Sequence, residues 1–266
     1  MKRITTLVLS MSLAWNLATA QDTMYFYKAG KVALKQATAQ VDSIIFYKVN
    51  TTQSNAITDA DGNVYHAVTI GTQTWMVENL KTTKYNDGSS IPNVTNSSSW
   101  GTLTTPGYCW YDNDATTNKI IYGALYNWYA VNTGKLCPKG WHVPSDAEWK
   151  TFENYLLAHY NYDSSTTGEG KYALAIAATS NWTPDNGQGN VGNTDYPALR
   201  NVTGWSALPA GQRTSNYFDG IGSYAYWWSS SEAGLAIFHA TASNYHNLYS
   251  SSNFKYYGFS VRCIKD

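Results

Sequence analysis

Three side chains near the middle of the chain have types and spacing that could support acid/base chemistry: His142, Asp146 and Glu148. A histidine beside two carboxylates is a frequent general acid/base arrangement. However, Ser145 precedes Glu148 by three residues, which is the spacing of a capping box at the start of a helix. Asp146 lies in the first turn of the same predicted helix, where the helix dipole favours a negative charge. We therefore assign both carboxylates to helix initiation and not to catalysis.

The remaining residues suited to catalysis are scattered along the chain. His159, His239 and His246 fall in different predicted elements, and no Ser or Cys nucleophile stands in a recognisable setting. The three cysteines and five histidines include no close pair with metal-ligand spacing. We predict that this protein is not an enzyme and that it needs no catalytic cofactor.

The composition favours a neutral binding surface. The 266 residues include 18 basic and 18 acidic side chains, only 14% of residues are charged, and 15% are aromatic. A nucleic-acid-binding protein needs a basic stripe, and a disordered chain has few aromatic residues, so both classes are disfavoured. Uncharged partners remain, namely glycans or the surfaces of other proteins.

The first twenty residues have the pattern of a signal peptide. Lys2 and Arg3 precede an apolar run that ends in Ala18-Thr19-Ala20, a small-x-small cleavage pattern. We predict that residues 1–20 are removed, and no later apolar run is long enough to span a membrane. The protein is expected to be exported, and therefore secreted, periplasmic or on the outer cell surface, where disulfides form.

The exported chain divides into a small N-terminal part and one large domain. Residues 21–48 are predicted to form a small β-rich segment, with strands at Met24–Tyr27, Val32–Leu34 and Ile44–Tyr47. Residues 49–56 are predicted to be a linker and residues 57–266 the main domain. If the protein is instead an assembly subunit, the small segment should present an open strand edge to a partner chain.

The main domain is predicted to combine short strands with a few helices. Helices are expected at about Gly123–Val131 and after Pro144, with a further helical stretch at about Lys171–Ala178. Later strands are predicted at Ala225–Ser229, Ala236–Ala242 and Gly258–Ile264. The fold class is therefore α+β.

Seven motifs along the main domain resemble a known family when they are taken in order. They are DGNVY (61–65), WMVENL (75–80), YGALYNW (122–128), LCPKGWHVP (136–144), SALPAG (206–211), YWWSSSE (226–232) and GFSVRC (258–263). Together they resemble the Fibrobacter succinogenes major paralogous domain, a secreted module that is also abundant in Bacteroidetes, over about Asp59–Asp266. This resemblance implies a C-type-lectin-like fold with short twisted antiparallel strands, two or more helices and long loops, carrying a small N-terminal β appendage. The N-terminal segment resembles a leader found on many exported Bacteroidetes proteins.

The resemblance also has implications for the cysteines. In C-type-lectin-like folds the first helical region and the final strand are neighbours and are often linked, which implies a Cys137–Cys263 disulfide. Cys109 is then left as a buried, unreactive thiol. The family is remotely similar to formylglycine-generating enzymes, but those enzymes use paired cysteines late in the fold, and here that region has only Cys263.

A loop rich in oxygen-bearing side chains is a candidate calcium site. Calcium binds six to eight oxygen ligands, and C-type lectins place calcium in their long loop. The sugar-binding signatures of those lectins are absent here, and Asn, Asp and Gly are also ordinary turn residues. The candidate ligands are Asp185, Asn186, Asn190, Asn193 and Asp195.

The C-terminal region contains the most informative composition. From Ala233 to Phe254 there is no Lys, Glu, Gln, Met or Trp. Tyr, Ser and Asn recur among small residues, as in antibody paratopes, and we predict that this face binds a glycan or a host or partner protein. Diversity-generating retroelements produce the same residue types in C-type-lectin-like proteins, so a diversified variable protein is one alternative, and a structural or adhesive surface subunit is another. The candidate binding residues are Asn216, Tyr217, Phe238, His239, Asn244, Tyr245, His246, Asn247 and Tyr249.

Overall fold

The structure, a computed structural model, describes residues 23–28, 31–37, 56–162 and 170–266, the first two ranges by their backbone. The chain separates into two units, and the division lies between Ser54 and Asn55. The predicted signal peptide and the strand predicted at Ile44–Tyr47 lie outside the described residues.

The first unit contains a β-hairpin. Strands β1 (Thr23–Lys28) and β2 (Lys31–Ala37) pair antiparallel, with Thr23 opposite Ala37 and an irregularity between Phe26 and Tyr27. The strands predicted at Met24–Tyr27 and Val32–Leu34 are therefore present. Within the described residues each of these strands pairs only with the other.

The second unit consists mainly of short strands, with one long helix. Its strands are β3 (Ile57–Thr58), β4 (Val64–Tyr65), β5 (Ala67–Ile70), β6 (Gln73–Met76), β7 (Tyr108–Cys109), β8 (Leu125–Tyr126), β9 (Trp141–His142), β10 (Ala210–Arg213), β11 (Phe218–Ile221), β12 (Tyr224–Ala233), β13 (Leu235–Ala242), β14 (Tyr249–Asn253) and β15 (Ile264–Lys265). Its α-helices are α1 (Ser97–Gly101), α2 (Asn118–Tyr122), α3 (Trp128–Val131) and α4 (Asp146–Tyr160). No helix among the described residues is long and apolar enough to cross a membrane.

Two sheets organise this unit. The larger has five strands in the order β11-β10-β12-β13-β14, and the smaller has four in the order β5-β6-β15-β9. The pairing between β10 and β12 is parallel, whereas the other strand pairings of these two sheets are antiparallel. The fold is a mixed α+β arrangement with mostly antiparallel sheets and few helices, as the sequence predicts.

The larger sheet separates two hydrophobic clusters. Side chains alternate along a strand, so neighbouring residues of β12 face opposite clusters. Trp228 belongs to one cluster together with both cysteines of the disulfide, and we call this the disulfide core. Trp227 belongs to the other cluster together with Trp75, Trp149 and Trp205, and we call this the tryptophan core. Helix α4 covers the sheet on the side of the tryptophan core.

The disulfide implied by the family resemblance is present. Cys137 and Cys263 are bonded, with their Cα atoms 6.0 Å apart and 126 residues apart in sequence. Their separation lies within the limit of about 7 Å for such a bridge. Cys109 is a buried free thiol, and burial raises its pKa to about 12. A thiol held in its neutral form is a poor nucleophile, as expected.

The helix predictions were correct where capping residues mark a helix end. Helix α4 begins with the predicted capping box, because Ser145 and Glu148 bond one another's backbone N–H groups. The helix predicted at Gly123–Val131 is reduced to α3, because Leu125 and Tyr126 instead pair with β7. The stretch predicted at Lys171–Ala178 contains only a short 3-10 turn at Ala173–Ala175.

Candidate functional site

The predicted binding segment lies at one edge of the larger sheet. Tyr249 begins the edge strand β14, opposite Ala240 of β13, and Tyr245 lies in the turn that precedes it. Tyr245 is 41% exposed, and its ring centroid lies 5.4 Å from that of Tyr249. These two predicted residues therefore share one partly exposed surface.

Two tyrosines that were not predicted as binding residues extend this surface. Tyr224 and Tyr226 occupy alternate positions of β12 on the face that carries Phe238 and Tyr249. Their rings are stacked, with centroids 5.6 Å apart and planes 9° apart. The sequence signal was the alternation in YAYWW, which places both tyrosines on one face of a strand. We call Tyr224, Tyr226, Tyr245 and Tyr249 the tyrosine face.

A second aromatic group adjoins the tyrosine face through the buried ring of Phe259. Phe259 stacks on Tyr226 at 5.0 Å and contacts Tyr257 at 6.0 Å. Tyr257 in turn contacts Tyr256, and Tyr256 stacks on Phe254 at 5.4 Å. Phe254 is 53% exposed. We call Phe254, Tyr256 and Tyr257 the tip group, and the tip group and tyrosine face together the aromatic surface.

The hairpin between β10 and β11 brings Tyr217 to the tip group. Tyr217 is 61% exposed. Burial is the main reason that the pKa of Tyr257 is raised, and the nearby Tyr217 phenol raises it further. The Thr214 hydroxyl fixes the turn by accepting the N–H groups of Asn216 and Tyr217. The start of this hairpin requires glycine at position 211. The φ of Gly211 is +66°, and an added Cβ would lie 2.5 Å from Asp219 O. The predicted pair Asn216 and Tyr217 is exposed.

Two tyrosines of this surface ionise less readily than an exposed tyrosine. Burial raises the pKa of Tyr226 and of Tyr249, and their hydroxyl groups also interact with each other. No charged residue occurs from Ala233 to Phe254. The nearest charges along the chain, Glu232 and Lys255, form an ion pair with each other. A partner that covers residues 233–254 therefore meets no unpaired charge from them, although Asp219 of β11 lies close enough to Tyr226 to contribute to its raised pKa.

Two predicted binding residues are in the core instead. Phe238 is 6% exposed and packs against Trp228, Tyr226 and Phe259. His239 is fully buried, on the opposite face of β13. Their assignment to the contact surface was wrong, because β13 is an inner strand of the sheet and both of its faces are covered.

His239 has a structural environment built from α4. Its Nδ1 lies 2.7 Å from a Glu153 carboxylate oxygen, and its Nε2 lies 3.2 Å from Asp146. The ring stacks on Trp149 with centroids 4.8 Å apart. These contacts connect β13 to the helix, so Asp146 has a tertiary partner as well as its place in the first turn.

The other predicted residues of this segment lie around the tyrosine face, with their backbones anchored. Asn244 is exposed, and His246 and Asn247 are half-buried. The His246 carbonyl accepts bonds from Tyr172 N and Ala173 N, and the Asn247 carbonyl accepts one from the Thr241 hydroxyl. These bonds fix the path of the turn that presents Tyr245.

The side-chain oxygen atoms of the candidate calcium loop accept hydrogen bonds from other residues of the same loop. One Asp185 carboxylate oxygen accepts bonds from Gly187 N and Asn190 Nδ2, both at 2.7 Å. The Asp195 carboxylate accepts a hydrogen bond from Gly189 N. The Asn193 side chain donates a hydrogen bond to Gly187 O and accepts one from Asp195 N. No cluster of three or more His, Cys, Asp or Glu suited to a metal ion occurs among the described residues, and in that part of the chain the Asn186 side chain forms no hydrogen bond with these groups. Turn formation thus accounts for the composition of this loop.

The residues with acid/base spacing form a surface ion-pair group. His142 lies between Glu148 at 2.8 Å and Asp266 at 2.7 Å. Burial opposes protonation of His142, but the two carboxylates outweigh it and raise its pKa. For Glu148, burial is likewise outweighed by bonds from Ser145 and His142, which lower its pKa. This group joins β9, α4 and the C-terminal residue.

The family comparison covers most of the second unit. Residues 68–265 match the model of the Fibrobacter succinogenes major domain. No curated protein and no solved structure matches the chain. Because this match covers more than half of the chain, the chain belongs to the Fibrobacter succinogenes major domain family.

Proposed function

We propose that this protein is an exported binding module whose aromatic surface recognises a polypeptide partner. The observation that carries the proposal is a series of ring contacts from Tyr245 to Phe254, which passes through the buried rings of Phe238 and Phe259 and has exposed rings at both ends. Exposed aromatic rings grouped on one side of a protein are typical of an interaction site. Tyrosine is also enriched in protein interfaces, because it combines apolar area with a polar tip.

The orientation of the rings favours a polypeptide over a glycan. Tyr224 stacks on Tyr226, and Phe254 stacks on Tyr256 with planes only 8° apart. Each ring of a stacked pair uses one of its two faces internally, which halves the aromatic face that the pair can offer to a ligand. A sugar ring would need a free aromatic face, whereas edges and hydroxyl groups suit the mixed surface of a polypeptide.

The edge strand β14 provides a second means of recognition. Its register with β13 is regular, and its serines Ser250, Ser251 and Ser252 are exposed. Natural edge strands are usually protected by charged residues, proline or a bulge. Strand β14 has none of these, and its outer side pairs with no strand within the described part of the chain. An extended partner segment can add to this edge and place alternate side chains against the tyrosine face.

The disulfide supports two parts of this proposal, namely that the protein is exported and that its fold is C-type-lectin-like. Disulfides persist in oxidising compartments, as expected for a secreted, periplasmic or outer-surface protein. The Cys137–Cys263 bond joins the segment before α4 to the residue before β15, which is the arrangement that a C-type-lectin-like fold implies. We therefore include a C-type-lectin-like architecture in the proposal.

A peptide selection carried out in parallel with a glycan array tests the proposal. Peptides selected on the wild-type protein should bind a Tyr245→Ala/Tyr249→Ala variant at least about 30-fold more weakly, the effect expected for hot-spot residues. Leu157→Ala is the matched control, because Leu157 is 42% exposed and lies on α4, on the other side of the sheet. N-methylation at alternate backbone positions of a selected peptide should abolish binding if the peptide adds to β14. Equal binding by the double variant, or ligands found only on the glycan array, would overturn the proposal.

A further inference from the structure

A pocket in the second unit lies outside the aromatic surface. Its volume is about 300 Å³, and its lining includes Trp182, Val191 and Arg200 together with the hydroxyl residues Thr179, Ser180 and Thr194. Val191 is fully buried and forms the floor with Ala173 and Ala177, against which Trp182 packs. A space of this volume has the size of one sugar residue with some solvent, at the small end of ligand pockets.

The tryptophan of this pocket is held in a fixed orientation. Its Nε1 donates to Ala207 O at 3.1 Å, so the polar group of the indole is already bonded and the ring offers an apolar surface to the pocket. The floor is equally fixed, because Val191 N donates to Tyr245 O at 2.8 Å and Gly192 N donates to Ser243 O at 2.6 Å. A prearranged pocket loses little conformational entropy when it binds a ligand.

Arg200 brings a positive charge to the pocket without an ion pair. Its guanidinium donates to the carbonyls of Ala178 at 3.0 Å, Val191 at 2.6 Å and Asn193 at 2.5 Å. Within the described residues it forms no salt bridge, although Asp195 is near enough to influence it. A guanidinium has five N–H donors, so about two remain for another acceptor. Burial lowers the pKa of Arg200, and a bound anion would offset the cost of burying this charge.

The hydroxyl groups of the pocket are suited to a polyol. The hydroxyls of Thr179 and Thr194 make no hydrogen bond within the described part of the chain, and the Ser180 hydroxyl accepts only Asn181 Nδ2 at 3.2 Å. These groups can both donate to and accept from ligand hydroxyls. One cation, one aromatic ring and three hydroxyl groups match a singly charged sugar better than a phosphate, which carries more charge than one arginine balances.

We propose that this pocket binds an acidic sugar residue, with its pyranose ring against Trp182 and its carboxylate on Arg200. The site is separate from the polypeptide-binding surface proposed above and does not depend on it. Its position next to Ser243 and Tyr245 would allow a partner that carries such a sugar to contact both sites.

Two isosteric sugars test the charge requirement without any change to the protein. By isothermal titration and ligand-observed NMR, wild-type protein should bind methyl glucuronide with a Kd of about 1 mM, a usual strength for one sugar residue. Methyl glucoside, which lacks the carboxylate, should bind about tenfold more weakly, because charge-assisted bonds contribute more than neutral ones. Equal affinity for the two sugars, or no saturable binding of the glucuronide, would overturn the proposal.

Protein variants then locate the site. Trp182→Ala and Arg200→Gln should each remove glucuronide binding, and Thr194→Val, a peripheral change that leaves the loop bonds intact, should weaken it about threefold. The matched control is Trp141→Ala, since Trp141 is half-buried and lines a different cavity of about 530 Å³ with Lys139 and Lys265. Loss of binding in Trp141→Ala with retention in Trp182→Ala would assign the sugar to that cavity and refute the proposal. Phe254→Ala changes a side chain that does not line the pocket and should leave glucuronide binding unchanged, so the two proposals can fail separately.

Discussion

The two faces of β12 and β13 belong to the same strands but are covered in different ways. On the helix side, Trp227 and His239 pack beneath α4, and every ring of the tryptophan core is enclosed. On the other side, Trp228 and Phe238 are enclosed by the disulfide core, but Tyr224 and Tyr226 remain partly exposed. The helix side also carries the ion pairs of His142 and His239, whereas the tyrosine face carries no charge.

This difference separates stability from recognition within one sheet. Rings enclosed on all sides contribute to the free energy of unfolding through burial and packing. Partly exposed tyrosines have less to lose on truncation, and they remain available to a partner. Substitutions on the helix side should therefore change stability, and substitutions on the tyrosine face should change binding.

The largest effect is expected for Trp149→Ala. Trp149 is fully buried and contacts Trp75 at 4.9 Å as well as His239. Its truncation should lower the free energy of unfolding by about 4 kcal/mol, as for other buried aromatic residues, and urea denaturation measures this. Leu157→Ala on the exposed side of the same helix should change it by less than about 0.5 kcal/mol. Similar losses for the two variants would contradict the assignment of α4 to the core.

Removal of the disulfide should come next. Cys137→Ala/Cys263→Ala should lower the free energy of unfolding by about 3 kcal/mol, because the bond closes a long loop in the unfolded chain. A reducing agent should lower the stability of the wild-type protein to a similar extent and leave the double variant unchanged. Cys109→Ala is the control, since it should retain the full response to reduction.

The buried ion pairs of His239 are expected to have an intermediate effect. Glu153→Gln removes one of the two carboxylates that contact a histidine with no solvent exposure. We expect a loss of about 2 kcal/mol, because a buried hydrogen-bonding ring loses a carboxylate partner. Lys150→Gln removes the exposed partner of Asp146 and should have a much smaller effect, because solvent screens an ion pair at the surface. A larger loss in Lys150→Gln than in Glu153→Gln would show that the buried contacts do not stabilise the fold.

The pH dependence of stability should come from the histidine and carboxylates on the helix side. The pKa of His142 is raised above its ordinary value of 6.5, so its contribution is present below that value and is lost as pH rises through the folded-state pKa. The pKa of Glu148 is lowered below 4.5, so its contribution is present above that value and is lost on acidification. Thermal melting should therefore show a decrease in Tm as pH rises above 6.5, and His142→Gln should remove this decrease. An unchanged decrease in that variant would assign it to other groups.

The smallest effect on stability is expected on the tyrosine face. Tyr245→Ala should lower the free energy of unfolding by about 0.5 kcal/mol or less, because the ring is partly exposed and its main aromatic contact is Tyr249. The measurement is urea denaturation beside the Trp149→Ala variant. A loss of several kcal/mol would mean that Tyr245 is part of the core and would remove it from the contact surface.

Local signals in the sequence were sufficient where one residue's chemistry fixes a structure. Ser145 and Glu148 mark the start of α4, because a capping box acts between neighbouring residues. Strands β12 and β13 were also recognisable, because the pattern that marks a strand likewise depends on neighbouring residues. The candidate surface was predicted only in part, since Tyr245, Tyr249 and Tyr217 were identified but Tyr224, Tyr226 and the tip group were not.

The errors have a common physical cause. Phe238 and His239 have residue types found in binding surfaces, but their exposure depends on what covers β13 from both sides. Leu125 and Tyr126 fall in a stretch whose apolar pattern predicts a helix, but pairing with β7 and Phe259 places them in a strand. Burial and strand pairing depend on residues far away in the chain, so no local pattern encodes them.

The sequence by itself determined the neutral composition, the α+β class, the capped helix and the motifs of the family. Each of these depends on residue type or short spacing. The tertiary structure decided which tyrosines share a face, that His239 lies between Asp146 and Glu153, and that Trp182 and Arg200 line one pocket. These arrangements join residues that are distant in sequence, and the packing of the two cores against the sheet brings them together.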